Sequence, residues 1–363
     1  MSENNKSCGF RTSIGGQALI EGILMRGPKK QGIVCRTEEG LVEKEEDLHP
    51  LRDRFPVFGW PLLRGCVIFV DSLVKGMQAL TYSASLVPLE EQGEPDKIDQ
   101  WITEHFPEEK AAKLIIYVAV VLGVLLSVFL FIVLPTFLVS LIKPLTESYL
   151  IRNLSEGLFK VIILIGYMAF CGFIPDVRRT FQYHGAEHKS VHCHESGLPL
   201  TPENAATFSR LHPRCGTAFL LIVFSISILL FLVLNVLVPI SNFFLRFLFH
   251  LAMLPIVAGI SYEVLMRLAH SGSRAACILR WPGMQMQRLT TREPDEKMLE
   301  CAIVSVNVVL NGIPSHAPKT PEGWAVFTDY HESEPGYVPP VDEETASAEE
   351  SDSDVPQDGV PQA

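Results

Sequence analysis

The chain has 363 residues, of which 48% are hydrophobic and 20% are charged, and its mean hydropathy of +0.24 is too high for a water-soluble domain of this size. The formal net charge of −11 describes a tail and not the folded body, because the stretch 331–360 is acidic and contains no Lys or Arg. Eight cysteines occur without a C-x-x-C pair, which argues against a disulfide framework, particularly in a reducing cytosol.

Residues 1–61 are predicted to form a cytoplasmic, β-rich segment. No apolar signal-peptide core is visible in MSENNKSCGFRTSIGG, so the first membrane helix is expected to act as an uncleaved insertion signal. Apolar and polar residues alternate around Glu39-Gly40 in GIVCRTEEGLVEK, which predicts a small β-hairpin behind an extended glycine-rich segment.

Residues 62–113 are predicted to form an amphipathic helix and an acidic linker. Apolar positions recur at helical spacing over 62–86, but Arg64, Asp71 and Lys75 interrupt them. We therefore expect this helix to lie at the membrane surface or against the bundle rather than to cross the membrane.

About four transmembrane helices are predicted, which makes the chain an α-helical membrane protein with a small α+β cytoplasmic part. Residues 114–134 run for 21 positions without a charge, and residues 218–240 run for 23. Each run is long enough to cross a hydrocarbon layer of about 30 Å at about 1.5 Å per residue. The predicted spans are 114–138 and 158–174, within the segment 114–174, and 217–239 and 243–267, within the segment 217–267.

Glu263 lies in the fourth predicted span, where a carboxylate is costly unless it is paired or functional. It is therefore a candidate site residue. A salt bridge to Arg267, one helical turn further on, is the alternative that we favour.

The distribution of Lys and Arg predicts the orientation of the spans. The connection 239–243 has neither residue and 139–157 has two, whereas the segments 175–216 and 268–312 are rich in arginine. Because basic loops stay on the cytoplasmic side, both termini and the loop 175–216 are predicted to be cytoplasmic. The segment 268–312 is predicted to contain a loop and a helix from about 294 to 310, and the acidic tail 313–363 is predicted to be disordered.

The densest group of chemically active residues lies in the cytoplasmic loop 175–216. His184, His188 and His192 recur every four positions and share one face if the segment is helical. The string HGAEH also fits the H-x-x-E-H pattern of inverted zinc peptidases. In that pattern the two histidines bind the metal, and Glu187 acts on water rather than as a ligand.

A second pair of metal-ligand residues, His212 and Cys215, follows in HPRCGT. A short helix starting at Thr201-Pro202 is expected to fold this pair back onto the histidine segment. A closed set of His184, His188, His212 and Cys215 would be a structural zinc site, whereas three ligands plus water would be catalytic. The alternative is that the histidines contact lipid phosphates or loop carbonyls and that Cys215 is a small buried hydrophobe.

Two further polar segments stand out. Glu21 and Arg26 lie among glycines in GGQALIEGILMRGP, and Glu293 and Asp295 lie with arginines in RLTTREPDE. These residues could form a polar pocket wall beside the histidines, or they could pair within the chain, for example Glu21 with an arginine. The residue pattern favours neither alternative.

Four strings together resemble the YqhQ-like family of bacterial membrane proteins: GGQALIEGILMRGP, YHGAEHKSVHCHE, HPRCGTAFLLIV and PGMQMQRLTTREPDEKMLECAI. The resemblance covers about residues 11–311. It implies a multi-pass protein of the bacterial inner membrane, from a family of unknown function labelled as predicted metal-dependent enzymes. His194 falls where an aromatic residue is expected. The residues that match family motif positions are Glu21, Arg26, His184, Glu187, His188, His212, Arg214, Cys215, Glu293 and Asp295.

Three hypotheses follow. The first is a membrane-embedded metalloenzyme, hydrolytic and most simply zinc-dependent, with Glu187 as general base and His184 and His188 as ligands, completed by His212 or Cys215. The second is a non-enzymatic scaffold or regulator with a structural metal site or polar core. A transporter is third, because four spans are few unless the protein forms a homo-oligomer. The expected partner is the lipid bilayer, with no nucleic acid, and the sequence does not identify a substrate.

Overall fold

The computed structural model describes residues 12–38, 40–86, 108–142, 148–213, 215–237, 243–271, 273–320 and 324–334. The strands are β1 (Gly15–Leu19), β2 (Gly22–Arg26), β3 (Lys30–Thr37), β4 (Gly40–Asp47) and β5 (Ala325–Phe327). The first helices are α1 (Leu51–Arg54), α2 (Leu63–Leu86), α3 (Glu108–Val128), α4 (Leu134–Ile142), α5 (Tyr149–Cys171) and α6 (Pro175–Ser196). They are followed by α7 (Pro202–Ala206), α8 (Gly216–Leu237), α9 (Phe243–His270), α10 (Arg274–Thr290) and α11 (Glu296–Asn311). Short 3-10 turns occur at Pro56–Gly59 and Tyr330–Ser333.

The strands form one antiparallel sheet in the order β1-β2-β3-β4-β5. The predicted hairpin is present, since β3 and β4 pair with Thr37 opposite Gly40. The sheet is larger than predicted, because the glycine-rich segment before the hairpin also pairs, as β1 and β2. Gly22 permits this pairing, since a Cβ there would lie 2.5 Å from the carbonyl oxygen of Val34.

The prediction that the whole of 313–363 is disordered is wrong for its first part. Strand β5 pairs with β4, and Phe327 is fully buried opposite Leu41. Trp324 stacks on Tyr82 of α2 with ring centroids 3.9 Å apart. The acidic composition of the segment does not indicate a strand. A few apolar side chains are nevertheless enough to add a short strand to a sheet whose other strands are already paired. Residues 335–363 lie outside the described residues.

Helix α11 packs against one face of the sheet and is buried over almost its whole length. It matches the helix predicted from about 294 to 310. Asp295 caps its start, where its side chain accepts a hydrogen bond of 2.9 Å from the Met298 N–H. Gly312 follows its last residue with a φ of 80°. Helix α2, at the predicted position, covers the other face through Ala79. The alternation along β2 explains the two layers, since Ile23 and Met25 face α11 while Leu24 faces α2.

Three helices among the described residues are long and apolar enough to cross a membrane: Tyr117–Ile142, Leu150–Cys171 and Leu251–Leu268. The first contains a π-helical turn at Phe129–Val133. The predicted number of four is not confirmed, because the span predicted at 217–239 falls on α8, whose described apolar part, Leu220–Leu234, is shorter. The three helices are consistent with a membrane protein.

Candidate metal centre

The predicted histidine segment is helical. Helix α6 begins with Pro175 in its first turn and is capped after Ser196 by Gly197, which has a φ of 76°. Its composition is polar, yet its middle is buried against β1 and α11. Buried polar side chains need hydrogen-bond partners. The contacts of the polar side chains on this helix therefore indicate which of them could bind a metal.

His184 and His188 are both oriented by backbone carbonyl groups. Nδ1 of His184 lies 2.8 Å from the carbonyl oxygen of Thr290, and Nδ1 of His188 contacts the carbonyl oxygen of Arg210. Because a carbonyl oxygen only accepts, Nδ1–H is the donor in each neutral ring. Each Nε2 is therefore the nitrogen left to bind a metal, which is the arrangement of histidines that bind metals.

Cys215 completes this group. Its Sγ lies 3.2 Å from Nε2 of His184, and one ligand atom from each of His184, His188 and Cys215 lies within 4.8 Å of the other two. Zinc bonds of about 2.0–2.3 Å at tetrahedral angles would place such atoms about 3.5 Å apart. The three side chains thus have the spacing of a metal-binding set.

Cys215 and His184 form a buried pair in which the negative charge of one stabilises the positive charge of the other. Burial would raise the pKa of the Cys215 thiol, but His184 and His188 outweigh burial and hold that pKa well below its ordinary value. Burial would likewise lower the pKa of His184, but Cys215 and Glu187 outweigh it and raise that pKa to about 9. Without a metal, Cys215 is therefore held as a thiolate beside a protonated His184, and a metal that bound here would take the thiolate and displace the His184 proton.

Glu187 is buried beside both histidines. Its Oε2 lies 3.9 Å from Nε2 of His184 and 3.9 Å from Nε2 of His188. Its Oε1 accepts a hydrogen bond of 2.8 Å from the backbone N–H of Gly16 in β1. Strand β1 therefore orients the carboxylate so that one oxygen faces the two histidines.

His212 lies in an adjoining group rather than in the first set of three. It groups with His192 and with Glu195, also on α6, and their ligand atoms lie within 4.8 Å of one another. The His188 and His212 ring centroids are 5.6 Å apart, so the two groups are neighbours. Sequence reasoning noted His192 in the four-residue repeat but missed Glu195, although its position three residues after His192 places both on one helix face.

Of the other candidates, Glu21, Arg26, Glu263 and Glu293 form ion pairs with residues of neighbouring helices. Glu21 accepts two hydrogen bonds from Arg179 and one from the Tyr183 hydroxyl, which is the arginine pairing considered above. Arg26 pairs with Asp71 of α2 at 2.7 Å.

Glu263 accepts two hydrogen bonds of 2.6 Å from Arg64. The expected partner was Arg267, but α9 packs along α2, and this packing brings the Arg64 guanidinium to the carboxylate.

The segment RLTTREPDE packs along α6. Glu293 lies 2.9 Å from Nζ of Lys189 and is largely exposed, while Asp295 is the cap of α11. The Thr290 carbonyl that orients His184 belongs to the same segment. Arg214 lies outside the described residues. The other three polar segments thus contact the histidine helix α6, through β1, Cys215 and Thr290.

Comparison with known proteins gives the family of the chain. The family model described as "Protein of unknown function (DUF1385)" matches residues 60–312. The chain is 34% identical over 317 residues to "Uncharacterized protein YqhQ" of Bacillus subtilis (strain 168), and the match covers 83% of this chain and 96% of that protein. No solved structure matches the chain. The chain belongs to the DUF1385 family, which confirms the resemblance to YqhQ.

Proposed function

We propose that this member of the DUF1385 family is a membrane-bound, metal-dependent hydrolase in which His184, His188 and Cys215 hold the metal and Glu187 is the general base. One observation carries the proposal. Two histidines have their Nδ1 atoms hydrogen-bonded to carbonyl groups, the Cys215 sulfur lies within 4.8 Å of a nitrogen of each, and a carboxylate oxygen lies 3.9 Å from both Nε2 atoms.

The two imidazole nitrogens and the thiolate sulfur fit a divalent ion of intermediate softness. Of such ions, zinc fits them best. Imidazole and thiolate together are typical zinc ligands, and a set of three leaves a position for water or substrate. When bound, such an ion acts as a Lewis acid that makes water a nucleophile near neutral pH.

Glu187 is placed for proton transfer. One oxygen is held by the Gly16 N–H, so the other is free to accept a proton from an attacking water and to return it to the leaving group. Burial beside the histidines keeps bulk water from solvating this oxygen, which strengthens its interaction with a water in the site.

The proposed location is the cytoplasmic face of a bacterial inner membrane, with α8 as a fourth span. Helix α6 begins shortly after the apolar helix Leu150–Cys171 ends, and Cys215 immediately precedes α8. The site therefore lies at the ends of apolar helices, and the arginine-rich segments around it favour the cytoplasmic side.

A structural metal site in a non-enzymatic scaffold is the second candidate. The 3.9 Å separation of Glu187 from both histidines is the observation that favours it, since a small shift would make the carboxylate a fourth ligand and close the site. The two candidates differ in what the Glu187 side chain does.

The substitution Glu187→Gln separates them. Full-length, tag-free protein is purified in detergent, its metal content is measured by mass spectrometry, and each variant is tested for complementation of a strain that lacks the protein. The hydrolase predicts that Glu187→Gln retains the metal of the wild type but does not complement. A variant that loses the metal, or one that complements fully, supports the scaffold, and wild-type protein that binds no zinc or manganese overturns both.

A further inference from the structure

We infer that His192, Glu195 and His212 form a second metal site beside the first, so that the protein holds a two-metal centre. This inference rests on the proposed function, because it assigns a second ion next to the proposed one. The three ligand atoms lie within 4.8 Å of one another, and Nε2 of His212 is 3.7 Å from Oε2 of Glu195.

The side chains of this second group are oriented by groups outside it, as metal ligands are. Nε2 of His192 lies 3.1 Å from the carbonyl oxygen of Leu211, so Nε2–H is the donor in the neutral ring and Nδ1 is the nitrogen that would bind a metal. Oε1 of Glu195 accepts from the Thr12 backbone N–H at 2.9 Å and from the Thr12 hydroxyl at 3.2 Å, which directs Oε2 toward His212.

His212 is held by a buried amide. The Gln287 side chain accepts from the His212 N–H at 2.8 Å and donates to the His212 carbonyl at 2.7 Å. Gln287 has no exposed surface. This fully buried amide uses both of its ends on the His212 backbone and so fixes the position of that residue.

The two groups form a continuous row of imidazoles. Ring centroids are 4.5 Å apart for His184 and His188, 5.6 Å for His188 and His212, and 4.7 Å for His212 and His192. Two adjacent ions in an enzyme clamp the attacking and leaving oxygens of a phosphoryl or acyl substrate.

The two sites differ in the metal they prefer. The first contains a thiolate and favours zinc, whereas two imidazoles and a carboxylate form a harder set that also suits iron(II) and manganese(II). The second ion is therefore expected to exchange among these metals more readily than the first.

Cobalt titration of the metal-free, full-length protein in detergent tests the inference. Binding near Cys215 gives a thiolate-to-cobalt charge-transfer band in the near ultraviolet, and binding at the second group adds visible ligand-field bands without that band. We expect about two equivalents in the wild type, about one in Glu195→Gln with the charge-transfer band retained, and about one in Cys215→Ser with the band lost. His194→Ala, on the same helix but outside both groups, is the matched control and should bind two.

The outcomes separate the two proposals. One equivalent in the wild type, with the charge-transfer band and no change in Glu195→Gln, overturns the second site and leaves the proposed function standing. No charge-transfer band in the wild type overturns the proposed function instead. Thermal unfolding of each metal-free variant shows whether it folds, and if Glu195→Gln does not, His192→Ala takes its place.

Discussion

Gly16 and Glu187 meet where strand β1 crosses helix α6: the Gly16 N–H donates to Oε1 of Glu187 at 2.8 Å. The absence of a side chain makes this contact possible. A Cβ on Gly16 would lie 2.6 Å from the carbonyl oxygen of Leu24 and 3.2 Å from Cγ of Glu187. The proposed base is therefore positioned by a strand that is far from it in sequence.

The first prediction is that Gly16→Ala impairs function without removing the metal. The new methyl group must displace the strand or the carboxylate, and overpacking of this kind costs about 1–3 kcal/mol. We expect a lower unfolding temperature, wild-type metal content and weak complementation. Gly15→Ala is the matched control, because nothing lies within 4 Å of its Cβ position. Equal behaviour of the two variants would contradict the positioning role.

The second prediction concerns metal removal. A ligand that binds only the folded state stabilises it by about 2.7 kcal/mol at one hundred times its Kd. A chelator should therefore lower the unfolding temperature of the wild type. It should have a smaller effect on Cys215→Ser, whose hydroxyl does not replace a buried thiolate. Cys277→Ser, at an exposed cysteine, should respond as the wild type does. Chelator-insensitive unfolding of the wild type would count against a stabilising metal.

The third prediction concerns pH and the buried side chain of Glu43. This residue has no exposed surface, its carboxyl oxygens have no hydrogen-bond partner among the described residues, and burial raises its pKa well above the ordinary value. The folded state therefore binds this proton more tightly than the unfolded state does. Stability should fall as pH rises above about 4.5, by up to about 1.4 kcal/mol per pH unit, until the folded-state pKa is passed.

Glu43→Gln tests this prediction, because it replaces the carboxyl by a group that does not ionise. Chemical unfolding between pH 5 and 8 should show a smaller loss of stability with rising pH in the variant than in the wild type. The control is Glu46→Gln, whose carboxylate is paired with Lys44 and Gln31 and should leave that loss in place. The same slope in wild type and Glu43→Gln would refute the assignment.

The fourth prediction concerns the ion pair between α2 and α9. Removing Arg64 leaves the Glu263 carboxylate in a membrane-length helix without its two hydrogen bonds, which is costly in an apolar setting. Arg64→Ala should lower the unfolding temperature in detergent more than Arg267→Ala does. The double variant Arg64→Ala, Glu263→Gln should recover part of the loss, because it removes the unpaired charge. A larger effect of Arg267→Ala would favour the local pairing instead.

The sequence by itself determined the features that repeat along one element. The apolar runs, the hairpin at Glu39-Gly40, the helical face of His184, His188 and His192, and the helix from about 294 to 310 all depend on neighbours a few residues away. Residue chemistry also identified His212 and Cys215 as candidate ligands.

Only the tertiary structure decided which of these groups meet. It placed Cys215 with His184 and His188, moved His212 to His192 and Glu195, paired Glu263 with Arg64, and added β5 to the sheet. Periodicity specifies the face of an element but not the element that packs against it. The partners of a buried polar side chain therefore depend on contacts between segments that lie far apart in the chain, and these form only when the whole fold is assembled.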